Sequence, residues 1–183
     1  MNPVFQEYSN KIDEIFGVMI RVCYSLHGQR NDLKKLATKT GVPLDTTLST
    51  SSFSNNKGNI IHSDTLEAQI KSMEEGGFDE ILIGNICASF IYSLWEDKYR
   101  KDFAEQLSVE KNRIKSKFFC ELSTYRHSIV HNQAVGTSRT DKLTILPRVR
   151  RREPLRVDRH ILEIIVTKAK EELLCLSLPG VVA

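Results

Sequence analysis

The sequence predicts an all-α protein, an up-and-down four-helix bundle with additional short helices. Three observations carry that expectation. Four long stretches repeat apolar residues at three- and four-residue steps, the period of one helix face. The composition is that of an ordinary folded chain, 40% hydrophobic and 27% charged. The one long stretch without periodicity, residues 43–62, is polar and separates helical patterns rather than strands.

The first helix is expected over about residues 3–26. Phe5, Tyr8, Ile12, Ile15, Phe16, Met19 and Val22 or Cys23 form its apolar stripe, and Gly28 marks its end. Residues 29–42 are basic and mixed, with room for a short helical turn. Residues 43–62 have loop composition, and a loop this long inside a compact domain is usually mobile or functional. We expect it to be mobile. Ser63 or Asp64 caps a short helix that ends at Gly76-Gly77, with Glu67 early in it to match the dipole.

Residues 79 to about 107 give the strongest helix. Leu82, Ile83, Ile86, Phe90, Ile91, Leu94, Trp95 and Phe103 make an apolar face wide enough for two or more neighbours. Ser108 offers a break and an N-cap for a helix over about 109–132, which Gly136-Thr137-Ser138 closes. Residues 139–156 include Leu143-Thr144-Ile145-Leu146-Pro147, a short strand or an extended piece. The last helix covers about 158–176, with Ile161, Ile164, Ile165, Ala169, Leu173 and Leu174 inward. We find no internal repeat. The whole chain, 1–183, is expected to form a single helical domain with a mobile polar loop at about 43–62.

No apolar stretch reaches the roughly 18 residues needed to span a bilayer. The N-terminus lacks a basic region followed by an apolar one, so no secretory signal is expected. Cys23, Cys87, Cys120 and Cys175 are scattered, with no CxxC pair. These features predict a cytoplasmic protein with reduced thiols and no membrane partner. The net charge of +3 permits a nucleic-acid partner without demanding one.

The most informative stretch is Tyr125-Arg126-His127-Ser128-Ile129-Val130-His131-Asn132. Cations near a helix C-terminus suit the helix dipole, and histidines are often satisfied core residues. Helix geometry weakens the core reading. Ile114, Phe118, Leu122, Tyr125 and Ile129 fall within about 80° of one another and form the core stripe. His127 and His131 lie one turn apart on nearly the opposite side, with Arg126 between the faces. They face solvent or a second subunit.

His127 and His131 also have the spacing of a helical zinc pair. Yet Ser128 stands where HExxH has its Glu. Cys120 shares the face but lies about 10 Å below His127 at 1.5 Å per residue. Neither a metal nor a cofactor is expected.

The spacing Arg126-x4-His131, late in a helical bundle, resembles the R-x4-6-H signature of the HEPN family. Trp95-Glu96-Asp97-Lys98-Tyr99-Arg100 resembles a W-E-x-x-Y-R segment of one bacterial branch of that family. The resemblance extends over most of residues 79–176. It implies a dimeric, metal-independent endoribonuclease whose two motifs meet across the subunit interface. It also implies a role in stress response or anti-phage defence, with room for an antitoxin or another partner protein. One departure is Gln133, where toxin-type relatives often carry a tyrosine.

On this reading His131 is the general acid or base, a task for which imidazole is suited near neutral pH. Arg126 binds the scissile phosphate through its planar donor fork. His127 orients His131 or holds the phosphate, and Asn132 assists by hydrogen bonding. The run Arg148, Arg150, Arg151, Arg152, Arg156 and Arg159 is either an RNA-tracking patch or a solvated connector. In the first case Arg150, Arg151 and Arg152 bind substrate. Glu96, Tyr99 and Arg100 either line the site or serve the core beside it, and Trp95 is expected in the core. The alternative function is a non-catalytic HEPN module that binds RNA, nucleotide or a partner protein.

Overall fold

The computed structural model describes residues 3–51 and 60–177. The chain is mostly helical, as the periodicity predicts. Its helices are α1 (Pro3–Thr40), α2 (Leu66–Ser72), α3 (Phe78–Leu94), α4 (Arg100–Gln106), α5 (Lys117–His131) and α6 (Arg159–Leu176). Strands β1 (Thr47–Ser51) and β2 (Ile60–Thr65) form an antiparallel ribbon. No helix among the described residues is long and apolar enough to cross a membrane. The chain divides into two compact units. One comprises the residues up to Ile20 and those from Ile81 onward, the other Arg21–Glu80.

Helix α1 runs through Gly28 to Thr40, well past the expected end. A single glycine costs a helix only about 1 kcal/mol, which its neighbours can offset. The stop comes instead from Gly41, whose φ of 66° is the left-handed conformation of a helix C-cap, with Pro43 close behind. The Gly41 N–H donates to the Ala37 carbonyl at 2.9 Å.

In the second unit, β1 and β2 correct the loop expected over 43–62. Thr47 pairs with Thr65 and Ser49 with Ser63, and the register shifts at Thr50/Ser51. The strands are rich in Thr and Ile, which favour extended backbone, but polar side chains on both faces hide the two-residue period. Residues 52–59 of the expected mobile loop lie outside the described residues. Thr65, not Ser63 or Asp64, caps α2, its hydroxyl accepting the Ala68 N–H at 3.1 Å.

The first unit has an aromatic core. From α1, Phe5, Tyr8, Ile12, Ile15 and Met19 are buried, as the stripe predicts. Tyr8 stacks on Tyr99 at 4.4 Å and donates its hydroxyl to the Ile91 carbonyl at 2.7 Å. Trp95 lies nearly parallel to Phe119, centroids 4.0 Å apart. Offset or stacked pairs of this kind contribute about 0.5–1.5 kcal/mol beyond their buried area.

The expected 79–107 helix is present but contains a π-helical turn at Trp95–Tyr99. An α-helix drifts about 40° over each four-residue step. The wider π turn offsets that drift, so Trp95, Tyr99 and Phe103, spaced four apart, are all buried. On the opposite side of α3, Leu82, Ile86 and Phe90 are exposed among the described residues.

Ser108 is not an N-cap, for its φ is 52°. A short 3₁₀ turn (Lys111–Arg113) intervenes, and α5 starts later, capped by the Ser116 hydroxyl on the Phe119 N–H at 3.0 Å. The helix also ends earlier than Gly136, at His131. In α6, Leu162, Ile165, Val166, Ala169, Leu173 and Leu176 are buried, whereas Leu174 faces out, contrary to expectation. Asp158 caps it by accepting the Ile161 N–H at 2.8 Å.

Candidate active site

Helix α5 carries the motif. Phe118, Leu122 and Tyr125 are buried, which fixes the rotation of the helix and turns His127 and His131 outward. Both imidazoles are exposed, with ring centroids 5.0 Å apart and planes tilted by 46°. Arg126 is half-buried, its guanidinium 5.9 Å from the centre of the Tyr92 ring, a cation–π arrangement.

Glu121 anchors the helix to the segment that follows. It falls on the buried face beside Leu122 and Tyr125, and the residue is only 8% exposed. It accepts the N–H groups of Thr144, Ile145 and Leu146 at 2.8–2.9 Å and the Thr144 hydroxyl at 2.8 Å. Burial alone raises the Glu121 pKa. The amide hydrogen bonds, Leu146 foremost, outweigh it and hold the carboxyl below its ordinary value. The expected extended piece at 143–147 is thus not a strand but a run of backbone wrapped on one buried acid. Tyr125 adds a hydrogen bond from its hydroxyl to the Pro147 carbonyl.

Beyond α5 the backbone turns sharply. Gln133 and Ala134 have φ of 53° and 56°, and Arg152 has 72°. Left-handed backbone at non-glycine residues costs roughly 1–2 kcal/mol each, so the surrounding hydrogen bonds must enforce it. They do so by pairing residues 134–136 with the arginine turn. The Leu155 N–H donates to Ala134 O at 2.7 Å, Gly136 to Glu153 at 2.8 Å and Arg152 to Gly136 at 2.9 Å. Thr140, fully buried, ties the intervening loop by donating its hydroxyl to the Val149 carbonyl at 2.7 Å.

The result is an open groove of about 600 Å³ at the C-terminal end of α5, lined by His131, Asn132, Gln133, Gly136, Arg151 and Arg152 among others. Among the described residues no Asp or Glu lines it. Arg151 and Arg152 are exposed and have no carboxylate partner among the described residues. Such a groove attracts anions and offers one imidazole able to move a proton.

Four residues picked from the sequence therefore meet: His131, Asn132, Arg151 and Arg152. Arg126, His127 and Arg150 do not line the groove. Glu96 and Arg100 line a second groove and pair with each other at 2.9 Å. Burial alone raises the Glu96 pKa, but hydrogen bonds from Lys111 and Arg100 hold it below the ordinary value. Tyr99 belongs to the core, its hydroxyl donating to Glu7 at 3.1 Å. Among the described residues no three His, Cys, Asp or Glu side chains converge as a metal cluster.

Sequence reasoning missed Glu121, Gln133 and Gly136. Glu121 left a legible signal, an acid on the apolar stripe, since a buried carboxylate requires a full set of donors. No family model matches the chain, and neither a curated protein nor a solved structure is significantly similar to it.

Proposed function

We propose that the chain is a HEPN-like endoribonuclease: an up-and-down helical bundle that acts as a homodimer and cleaves RNA without a metal. The observation that carries this reading is the groove in which His131 stands beside Asn132, Arg151 and Arg152, with no carboxylate. RNA supplies both an anion for such a groove and a 2′-hydroxyl for its imidazole. His131 removes the 2′-hydroxyl proton, and the oxygen attacks the adjacent phosphorus in line. The bond to the 5′-oxygen breaks, and that oxygen takes a proton from the second copy's imidazole. The products are a 2′,3′-cyclic phosphate and a 5′-hydroxyl. Arg151 and Arg152 stabilise the charge that grows on the phosphoryl oxygens, and Arg126, which does not line the groove of its own chain, reaches the phosphate only in the shared dimer site. His127, 5.0 Å from His131, orients it or holds the phosphate.

The homodimer is supported by the exposed apolar side chains Leu82, Ile86 and Phe90, which form one stripe on α3. Contiguous apolar surface outside a monomer's core commonly marks an interface.

The test is to incubate the purified protein with RNA in excess EDTA, beside a His131→Ala variant that keeps the parent's oligomeric state. We expect the parent to leave cyclic phosphate ends and the variant to leave RNA intact. Cleavage that appears only on adding a divalent ion sinks the mechanism. Binding without cleavage of any RNA points to the non-catalytic module instead.

A further inference from the structure

The second groove, about 570 Å³, is not used by the chemistry above. It lies on the same unit, along the other end of α5. Its wall comes from the end of α3, the π turn, the segment leading into α5 and Arg139. The stacked pair Trp95 and Phe119 lies at its floor, and Tyr92 adds a half-exposed ring that carries the Arg126 guanidinium 5.9 Å from its centre.

Its charge is strongly one-sided. Among the described residues that line it Glu96 is the only acid, and it is already shared by Arg100 at 2.9 Å and Lys111 at 2.8 Å. Arg100 is further fixed by donating to the Ile114 carbonyl at 3.0 Å. Lys115, Lys117 and Arg139 are exposed and have no carboxylate partner among the described residues. Lys117 is the first residue of α5, whose first turn contains no acid. A helix N-terminus favours acids and disfavours lysine, so local stability does not account for this placement.

Cys120 and Thr124 in this groove share a helical face with His127 and His131. At 1.5 Å per residue, Cys120 and His131 are about 16 Å apart along the axis. That is longer than one nucleotide, so a strand with its phosphate at His131 can continue along α5.

We propose that this groove is a binding site for single-stranded RNA, in which Lys115, Lys117 and Arg139 contact phosphates and Tyr92 offers a stacking surface. Basic grooves with aromatic rings are the recurrent means of holding a single strand. That the strand is RNA rests on the ribonuclease reading.

Binding is measured in the His131→Ala background, with a fluorescent oligouridylate long enough to span both grooves. Replacing Lys115 and Lys117 together by Ala is expected to weaken binding at least tenfold. It should also flatten the slope of log K against log salt by about 1.4, two contacts at roughly 0.7 each on a single strand. With His131 intact, the same pair of changes should leave cleavage of the dinucleotide UpU unaltered, since that substrate needs only the first groove. Unchanged affinity and slope overturn the proposal. Equal displacement by the matching deoxy strand overturns its assignment to RNA. Lysine-dependent binding with no cleavage of any RNA ends the ribonuclease reading while this site stands. Cleavage with lysine-independent binding does the reverse.

Discussion

Gly136 packs so closely on Arg150 that a Cβ atom at Gly136 would fall 2.2 Å from the Arg150 carbonyl oxygen. The obstacle is backbone, not the end of a flexible side chain, so it cannot swing away. The contact is part of the pairing that holds Arg151 and Arg152 beside His131.

Gly136→Ala should therefore displace the arginine turn. Overpacking of this kind costs about 1–3 kcal/mol. We expect a lower urea midpoint and loss of RNA affinity in the variant, with the far-ultraviolet helix signal retained. A variant as stable as the parent and equal to it in RNA binding removes this pairing from the account of the site.

Glu121 offers a test by pH. Its carboxyl has a lowered pKa in the folded chain because backbone amides hydrogen-bond its charged form against the effect of burial. A lowered folded pKa means that the carboxylate stabilises the fold above the unfolded-state pKa. That stabilisation is lost as pH falls through the folded value, below the ordinary carboxyl range. Glu121→Gln replaces an acceptor by an amide that turns N–H toward N–H. It should cost about 1.5–3 kcal/mol near neutral pH. Chemical denaturation from pH 7 down to 3 should show the parent losing stability over the acid limb and the variant losing less. Parallel pH profiles for the two proteins contradict this role.

The long helices were legible in the sequence because apolar residues recur at helical spacing; α1 buries most of the side chains its stripe picks out and α6 half of them. The ribbon was not, because the sequences Thr-Leu-Ser-Thr-Ser and Ile-Ile-His-Ser-Asp-Thr have no apolar–polar alternation to read. The ends of α1 and α5 differ from the expected ones for opposite reasons. Gly28 tolerates an ordinary helical conformation, whereas Gln133 and Ala134 adopt left-handed backbone, with Ala134 held by the Ser128 carbonyl and the Leu155 N–H. Within the site, His131 and Asn132 were legible from local pattern. That Arg151 and Arg152 meet them, while neighbouring Arg150 does not, depends on the Gly136 pairing, which no local pattern encodes.

The outward face of α3 gives the last prediction. Leu82, Ile86 and Phe90, four residues apart, form one stripe, and each is about half exposed. Residues 81–94 contain no charged side chain. An interface between two copies about a two-fold axis sets each surface against itself, so an uncharged stripe avoids the like-charge repulsion that charged faces meet there. Burying a large aliphatic or aromatic side chain contributes about 1.5–3 kcal/mol. Ile86→Asp places two carboxylates at the centre of that contact, yet in a single copy it alters only an exposed position. The folded monomer should change in stability by no more than about 0.5 kcal/mol. In sedimentation experiments we expect the parent as a dimer and the variant as a folded monomer without cleavage activity. An Ile86→Asp protein that remains dimeric and active moves the interface off α3. A parent that cleaves RNA as a monomer eliminates the shared site altogether, because His131 would then need its second proton-transfer partner within one chain.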